Sequence, residues 1–500
     1  MQTPTADRPA YGAWILLVPL AAVAATFARA RFLAPVSFDE EYFTWEGWLI
    51  LKGQVPYRDF FEPKPPVVFF GNALGLALWS VKSGLYRWVP TALAVVSVLV
   101  FYLGQIRRHV IPVFAWVVAL VSAHWLLGPQ FHDTGLDDTE TYGLAFMLLG
   151  IGLARVPLGG RAWRIGAGVC FGLSVLSKEL FLLSVVPAVA LLAFDDELCW
   201  QWRRGAEMVV GGAAVALCFV GYLVATRALG PYVDMYRFYM RFADSYCLDI
   251  GRFPRVSGWE ALHANWGWFK DWVSWHHLAP LVPLYAVAAW FLKRSRALAL
   301  LPLGMLLGLY AVSVGHCFWR HYYLMAASGF LLPAVIGAAM AGKQVTRVPW
   351  AGRAALGLAS ASLLYATWTP LREAWQEPDR PFGIPLDGNL ARAVSELTLP
   401  TDYILSLGTP FAYVATDRLN PLPSNIFVDE WVNYYPGATD EERLAPMRRG
   451  LEAHVPKIIY APATFAGRQS RFMRALFQQF ILEHGYRQVA PEIWFLAPPG

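Results

Sequence analysis

Long apolar runs separated by short polar connections dominate the first 370 residues of the chain. The first run covers residues 11–34, and it is long enough to remain as an anchor rather than be cleaved as a signal. Later runs approach the roughly 20 apolar residues that a transmembrane helix needs; they are 88–106, 111–128, 141–156, 165–178, 179–194, 206–226, 277–292, 297–315, 321–341 and 352–369. The pattern predicts a mainly α-helical, polytopic bundle of about 11 spans.

The run 66–82 is ambiguous, because it is short and is broken by Asn72 and by glycines. It either crosses the membrane or lies in the interface as an amphipathic helix. Charge in the short connections helps to decide, since loops rich in Lys and Arg stay in the cytoplasm. Four short connections are basic and carry no acid: Arg107-Arg108; Arg155, Arg161 and Arg164; Lys293, Arg294 and Arg296; and Lys343, Arg347 and Arg353.

If these four connections are inside, then residues 129–140, 227–276, 316–321 and everything after 370 lie outside. The loop 37–66 joins that outer face only if the run 66–82 does not cross. We favour this arrangement because it gathers nearly every loop carboxylate on one face. The run 66–82 then lies in the interface as a juxtamembrane helix beside the spans.

Residues 371–500 have a different character, with more charge and recurrent prolines. Short strand-like runs occur at Asp402–Leu407, Lys457–Tyr460 and Glu492–Leu496, and helical patterns lie around 387–397, 440–453 and 468–484. Alternating strands and helices predict a small α/β domain. We therefore expect two domains, a transmembrane domain at 1–370 and an extracytoplasmic domain at 371–500.

Composition supports a membrane protein and narrows the partners. The 500 residues are 56% hydrophobic and 15% charged, against about 25% charged in soluble domains. The formal net charge of +5 is small for this length and suggests no nucleic-acid partner. Five cysteines show no metal-ligand spacing. Aromatic residues flank many apolar runs, which is typical of rings anchored at the headgroup layer.

The first polar loop, residues 37–66, concentrates groups that can carry chemistry. Asp39 and Glu40 open it just past the first span. A carboxylate shielded by aromatic rings at the membrane surface can act as a base toward a hydroxyl. The alternative is a helix start, with Ser37 as the N-cap and Glu40 completing a capping box; both interpretations can hold together.

Lys64 lies in the sequence E-P-K-P-P of the same loop. The prolines fix the backbone and remove amide donors, so a single ammonium is presented with little conformational freedom. A fixed Lys at the lipid boundary suits a phosphate. The alternative is a lysine that snorkels at the start of a helix.

The second polar loop reads H-D-T-G-L-D-D-T-E-T-Y. Asp133, Asp137 and Glu140 are spaced i, i+4 and i+7, so we expect them on one helix face. Like charges this close resist joint ionisation unless a cation, a proton or a substrate hydroxyl lies between them. His132 adjoins them, but no recognised metal-ligand spacing is present.

Two further polar clusters interrupt the apolar runs near the same predicted face. Lys178-Glu179 breaks an apolar hairpin, and charges at membrane depth tend to be functional; a surface turn pair is the alternative. The run G-H-C-F-W-R-H-Y-Y-L contains Arg320 and His321, and Arg binds phosphate bidentately. The spans have almost no ionisable residue in mid-membrane, unlike ion-coupled transporters.

The acidic pair after the first span, the motif Y-x-D-F-x-E-x-K-P-P, the second acidic loop, the Lys of S-K-E and R-H-Y-Y-L together resemble the GT-C superfamily of membrane glycosyltransferases. The pattern is similar to protein O-mannosyltransferases and bacterial lipid A aminoarabinose transferases, over roughly residues 10–370. The resemblance implies a polyprenyl-phosphate-linked sugar donor, transfer with inversion, and a lipid, polysaccharide or protein acceptor. It also implies a multi-pass protein of the bacterial inner (cytoplasmic) membrane, with its active site and C-terminal domain facing the periplasm or exterior.

The resemblance also assigns site residues by position. Asp39 is the expected base that activates the acceptor hydroxyl, with Glu40 beside it. Lys64 is expected to hold the donor phosphate, helped by Arg320 and His321. The substrate-binding set is completed by Lys178 and by a second-loop acid, either Glu140 or Asp138. No cofactor is implied, and a divalent metal stays open.

Pro63 separates Glu62 from Lys64, whereas some relatives join the acid directly to Lys-Pro, which argues against a metal role for Glu62. No Walker-type glycine loop is present. Two rival functions stay open. A flippase or transporter of polyprenyl-linked glycans would move its substrate without making a glycosidic bond, and a non-catalytic assembly or sensory protein would work through residues 371–500.

Overall fold

The structure is a computed structural model, and it describes residues 14–34, 36–60, 62–79, 84–105, 112–127, 137–156, 160–195, 199–237, 260, 263, 267, 299–314, 320–326, 357, 361, 364–365, 367–368, 370–376, 388–407, 409–422, 439–461 and 471–497. The predicted span 277–292 and most of the spans 321–341 and 352–369 lie outside the described residues. The following paragraphs concern the described residues alone.

Apolar helices form most of the amino-terminal part, as the hydrophobic runs predict. They are α1 (Leu17–Leu33), α2 (Phe38–Leu51), α3 (Val67–Leu78), α4 (Trp88–Gln105), α5 (Pro112–Leu127), α6 (Thr139–Arg155), α7 (Arg161–Ser177), α8 (Leu182–Leu192), α9 (Trp202–Ala225) and α10 (Leu300–Ser313). Short 3₁₀ turns at Leu85–Arg87, Glu179–Phe181 and Arg320–Tyr322 join them.

The segment between α1 and α4 begins and ends on the same face of the bundle. Arg87, just before α4, donates from Nη1 to the carbonyl oxygens of Phe32 (2.7 Å) and Ala34 (3.0 Å) at the end of α1. The helix α3 in this segment has 12 residues, which is about 18 Å and short of a bilayer core of about 30 Å. Helices α2 and α3 pack against each other. The geometry agrees with a run 66–82 that does not cross, and which face is external stays a prediction.

The outer surface of the bundle is apolar where a lipid would contact it. In α9, Leu217 is 71% exposed, Val209 60% and Val224 58%. Of the described helices, Leu85–Gln105 and Trp202–Ala225 are long and apolar enough to cross a membrane, and Val67–Leu78, Ala115–Leu127, Glu179–Leu192 and Leu300–Ser313 are shorter apolar helices. An exposed aliphatic surface of this kind is typical of a helix that contacts lipid or another protein.

A four-stranded sheet and four helices form the C-terminal unit, residues 388–497. The strands are β1 (Ile404–Ser406), β2 (Ile458–Tyr460), β3 (Arg487–Ala490) and β4 (Ile493–Phe495), and the helices are α11 (Gly388–Leu397), α12 (Phe411–Thr416), α13 (Asp440–Ala453) and α14 (Arg471–Glu483). The strand order is β1-β2-β4-β3. β1 and β2 are parallel, with Ile404 opposite Ile458, and the other neighbours are antiparallel.

Three of these strands and three of the helices lie where the sequence predicts them. β3 and α12 have no counterpart among the predicted elements. Arg487, Gln488 and Val489 of β3 are all exposed, so this edge strand carries no alternation of apolar and polar residues. α12 has only 6 residues, which is too short for helical periodicity to be recognised.

Glycines allow α7 and α9 to approach each other closely. A Cβ added to Gly211 of α9 would overlap the carbonyl oxygen of Ile165, and one added to Gly168 of α7 would overlap that of Met208. Small residues at helix contacts let backbones meet, which is how membrane helices gain packing energy without a hydrophobic driving force.

Substituting Gly211→Ala is expected to lower Tm in detergent, since the rigid carbonyl of Ile165 must move and overpacking costs about 1–3 kcal/mol. Gly221→Ala is the matched control in the same helix, because a Cβ there meets nothing within 4 Å. The control is expected to keep or slightly raise Tm, since Ala favours helix over Gly. Equal Tm values for the two variants would contradict this close packing.

Candidate active site

The first turn of α2 is fixed by its N-cap, as the sequence predicts. The Oγ atom of Ser37 accepts a hydrogen bond from the backbone N–H of Glu40 at 3.2 Å. The predicted capping box does not close, because the Glu40 carboxylate binds Arg87 instead. Oε1 lies 2.5 Å from Nε and Oε2 accepts from Nη2 at 2.8 Å. Glu40 is therefore buried and holds the start of α4 against α2.

Three consecutive acids at this helix start face three different partners. Successive residues of an α-helix are rotated by about 100°, so their side chains diverge. Glu40 faces Arg87. Glu41 accepts a hydrogen bond at 2.8 Å from the hydroxyl of Thr409 in the C-terminal unit. Asp39 is half-buried and lies close enough to Lys64 for its carboxylate to raise the pKa of that lysine.

The backbone around Lys64 is held from both sides. The hydroxyl of Tyr57 donates to the Lys64 carbonyl at 2.9 Å, and the Lys64 N–H donates to Oε1 of Glu62 at 3.0 Å. The Nζ atom of Lys64 lies 4.5 Å from the centroid of the Phe43 ring, which is a cation–π distance. The lysine is thus half-buried on a rigid loop, as the proline-rich sequence predicts.

Electrostatics keep this lysine charged. Burial on its own lowers the pKa of Lys64, but the carboxylates of Asp39 and Glu62 outweigh that effect and leave the pKa above its usual value. The ammonium of Lys178 acts in the opposite direction, which places it near Lys64 as well. Two cations and the carboxylate of Asp39 therefore share one polar cluster.

The second loop supplies one acid to this cluster and one to a helix cap. Asp138 caps α6, where its Oδ1 accepts from the backbone N–H of Thr141 at 2.5 Å. Glu140 forms an ion pair with Lys178 and accepts from the Thr139 hydroxyl at 2.7 Å. Of the two acids that the sequence leaves open, Glu140 is therefore the one that contacts a cation of the cluster.

The predicted alignment of Asp133, Asp137 and Glu140 on one helix face is wrong for its described members. Helix α6 begins at Thr139 with Asp138 as its N-cap, so Asp137 precedes the helix and does not share a face with Glu140. Asp is a strongly preferred N-cap residue, so Asp138 determines where this helix begins. Asp133 and His132 lie outside the described residues.

The 3₁₀ turn Arg320–Tyr322 contributes two further side chains to the cluster, those of His321 and Tyr322. Nζ of Lys178 lies 3.6 Å from the centroid of the Tyr322 ring. His321 is buried, its ring packs edge-on against Tyr322, and it interacts electrostatically with Glu140. The side chain of Arg320 lies outside the described part of the structure, and so does His316.

Sequence reasoning missed Glu46 and Glu62 as members of the cluster. Both are fully buried, and burial together with the charge of Glu62 raises the pKa of Glu46 well above its usual value. A signal was present, because Asp39, Phe43 and Glu46 are spaced i, i+4 and i+7 and therefore share one face of α2. That face carries the carboxylate, the aromatic ring and the second acid that surround Lys64.

Asp137, one of the second-loop acids that the sequence groups with Glu140, is buried as well. It lies near Asn72 and Tyr142, and burial raises its pKa well above the usual value, with a contribution from Glu40. Neither of its carboxylate oxygens has a well-aligned hydrogen bond within the described residues. Burial therefore favours the protonated form of this carboxyl.

The described residues offer no ready metal site. No group of three or more His, Cys, Asp or Glu side chains lies close enough together there to hold an ion. Two of the acids are already paired with protein cations, Glu40 with Arg87 and Glu140 with Lys178. We therefore assign no chemical step to a metal.

Comparison with solved structures identifies the fold. ArnT from Cupriavidus metallidurans, bound to undecaprenyl phosphate, matches with a TM-score of 0.54 and 13% identity over 98% of this chain and 100% of that one. The Archaeoglobus fulgidus oligosaccharyltransferase tethered to an acceptor peptide matches with a TM-score of 0.52 and 14% identity, over 90% and 69%. The same archaeal enzyme, AglB, with an inhibitory peptide and a dolichol-phosphate gives 0.51 and 15%, over 90% and 69%.

Both neighbours are GT-C glycosyltransferases, so the resemblance inferred from the sequence motifs is confirmed at the level of the fold. No protein-family model matches the chain, and no curated protein matches it in sequence. At these identities the similarity shows a polytopic membrane fold, and the chemistry must be argued from the residues.

The pKa of Glu41 predicts a pH dependence of stability. Burial raises that pKa from 4.5 to about 7, against the lowering effect of the Thr409 hydroxyl. An acid whose pKa is raised by folding costs no stability below its unfolded pKa, and the cost grows as pH rises to the folded value. The Tm of the wild type is therefore expected to fall relative to Glu41→Gln between about pH 5 and pH 7. A difference in Tm that stays constant from pH 5 to pH 8 would contradict this assignment.

Proposed function

We propose that the chain is a glycosyltransferase that moves a sugar from a polyprenyl-phosphate-linked donor to an acceptor hydroxyl, with inversion at the anomeric carbon. The carrying observation is that Asp39 and Lys64 share one half-buried cluster with a second cation, Lys178. A carboxylate beside two ammonium groups fits a base beside a phosphate. The cluster lies at one edge of the bundle, where α2 and α6 begin and where α7 ends at Lys178.

The fold supports a lipid phosphate as the ligand class. Two structural neighbours were solved with such ligands, dolichol-phosphate in the archaeal oligosaccharyltransferase and undecaprenyl phosphate in ArnT. A polyprenyl phosphate presents its charged group at the headgroup level while its tail stays in lipid. Lys64 and Lys178 offer positive charge at the corresponding edge of this chain.

The chemistry follows from the charges. Asp39 accepts the proton of the acceptor hydroxyl while the oxygen attacks the anomeric carbon on the side opposite the phosphate. The bond between that carbon and the phosphate oxygen breaks, and its electron pair leaves with the polyprenyl phosphate. Negative charge grows on the leaving phosphate, where the fixed ammonium groups of Lys64 and Lys178 stabilise it.

The other predicted residues take supporting roles. Glu140 orients Lys178 through their ion pair, and Asp138 fixes the start of α6. Glu40 secures the helix that carries Asp39. We propose that Arg320 and His321, which the sequence motifs assign to the donor phosphate, help Lys64 to bind it.

We place the cluster on the extracytoplasmic face of a bacterial cytoplasmic membrane, because Arg155 and Arg161, which belong to a connection predicted to be cytoplasmic, lie at the opposite ends of α6 and α7 from Glu140 and Lys178. Residues 1–370 then form the transmembrane domain and residues 371–500 an extracytoplasmic domain that recognises the acceptor. That acceptor is a glycolipid, a polysaccharide or a protein. The archaeal neighbour was solved with an acceptor peptide, whereas for this chain we propose an acceptor hydroxyl.

Asp39→Asn is expected to lower the release of undecaprenyl phosphate from sugar-linked donors by at least about 100-fold, the usual contribution of a general base. The assay uses purified protein in vesicles, a panel of undecaprenyl-phosphate-linked hexoses and pentoses, and a membrane extract as acceptor. An unchanged Tm shows that the variant is folded. Full activity in the folded variant rejects Asp39 as the base, and translocation of donor across the vesicle without release favours a flippase.

Lys64→Met is expected to weaken binding of undecaprenyl phosphate by roughly 10- to 100-fold, since a hydrogen bond to a charged group contributes about 1.5–3 kcal/mol. Lys52→Met is the control, because Lys52 lies at the far end of α2 from Asp39 and pairs with Asp417 at the exposed surface. Binding is measured by titration of undecaprenyl phosphate into each detergent-solubilised variant. If the two variants bind equally well, Lys64 does not hold the phosphate.

A further inference from the structure

The C-terminal unit contacts the helix that carries Asp39 at several points. The Thr409 hydroxyl donates to Oε2 of Glu41 at 2.8 Å. The rings of Trp45 and Tyr413 lie 6.0 Å apart between centroids, at an angle of 42°. These contacts run along one side of α2, from its first turn toward its middle.

A further contact lies at the far end of the same helix. Nζ of Lys52 is 2.6 Å from the carboxylate of Asp417, which follows α12. The rings of Tyr86 and Phe411 also meet, with centroids 6.5 Å apart. Segment 409–417 therefore spans α2 from its start to its end, and the hydrophobic core of the C-terminal unit continues into α2.

The contacting segment is itself held firmly within the C-terminal unit. The Tyr413 hydroxyl accepts from the backbone N–H of Ser406 at 2.8 Å, and the Ser406 hydroxyl donates to the Thr409 carbonyl at 2.9 Å. Ser406 is the last residue of β1. A displacement of the sheet must therefore carry Thr409 with it.

The first turn of α2 depends on side chains for its position. The first four N–H groups of a helix have no intrahelical acceptor, so caps and side-chain contacts determine where this turn lies. Ser37 caps it, Arg87 binds Glu40, and Thr409 binds Glu41. Only the last of these contacts comes from outside the amino-terminal bundle, and it acts two residues from Asp39.

We propose that the C-terminal unit is a positioning element for Asp39, and that the Thr409–Glu41 hydrogen bond transmits its position to the first turn of α2. The inference rests on the proposed function, in which Asp39 is the base. It gives the C-terminal unit a part in the chemical step besides acceptor recognition. Docking of that unit then determines whether the base is aligned with the acceptor hydroxyl.

Thr409→Val is the test variant, because it removes the hydroxyl and keeps the shape of the side chain. Thr416→Val is the matched control in the same segment, where the hydroxyl bonds locally to the carbonyl of Ala412. The first measurement is hydrogen–deuterium exchange of the full-length protein in vesicles. Residues 38–44 are expected to exchange roughly 3- to 10-fold faster in Thr409→Val than in the wild type, and at the wild-type rate in Thr416→Val.

The second measurement is the kcat and KM of donor turnover, with the donor that the wild type accepts. Thr409→Val is expected to lower kcat roughly tenfold and leave the KM for the donor unchanged. Glu41→Gln combined with Thr409→Val should be no worse than the poorer single variant, because the two residues share one interaction.

The outcomes separate this inference from the proposed function. A wild type without transferase activity contradicts the proposed function alone, and exchange of residues 38–44 still tests the contact. An active wild type with unchanged exchange and unchanged kcat in Thr409→Val overturns the positioning role. Equal loss of kcat in Thr409→Val and Thr416→Val also overturns it, since that result indicates general damage to the C-terminal unit.

Discussion

The burial of a charged lysine is the constraint on which this site depends. An ammonium group removed from water loses its hydration, and it stays charged only where carboxylates replace the water. Lys64 meets that condition because Asp39 and Glu62 lie beside it. The loop that carries it is held by Tyr57 and Glu62, so the charge is fixed in place. A substrate phosphate can then bind without paying to order the lysine.

The three consecutive acids in the first turn of α2 contact three different parts of the protein. Asp39 faces the cluster, Glu40 joins the bundle and Glu41 joins the C-terminal unit. The geometry follows from the rotation of about 100° between successive helical residues. The position of the proposed base is thereby tied to the end of α1, to the start of α4 and to the C-terminal sheet. Packing that looks remote from the chemistry is therefore part of the site.

Local features of this structure could be predicted from the sequence, and long-range pairings could not. Helix α4 and the strand at Ile458 follow from apolar runs, and the Ser37 cap follows from a local motif. The hydrogen bond between Glu40 and Arg87 joins residues that are 47 positions apart in the sequence, and the local sequence around neither residue indicates it. The same holds for Thr409 and Glu41, because α12 is too short to show a periodicity.

The acids of the second loop show how a small shift changes an assignment. A helix that began before Asp137 would have aligned it with Glu140, but Asp138 caps the helix and leaves Asp137 outside. Glu46 shows the opposite case, since its spacing from Asp39 could have been read as one helix face. Glu46 lies in an apolar stretch of α2, where no sequence motif marks it as part of the site.

A polyprenyl phosphate is proposed to bind where Asp39, Lys64 and Lys178 converge. The decisive experiment is a cryo-electron microscopy structure of the full-length protein with undecaprenyl phosphate. Phosphate oxygens are expected within about 3 Å of Nζ of Lys64, with Lys178 and Asp39 bordering the same pocket. Density for the phosphate at another edge of the bundle, or a side chain of Asp39 directed away from the phosphate, would rule out this binding site.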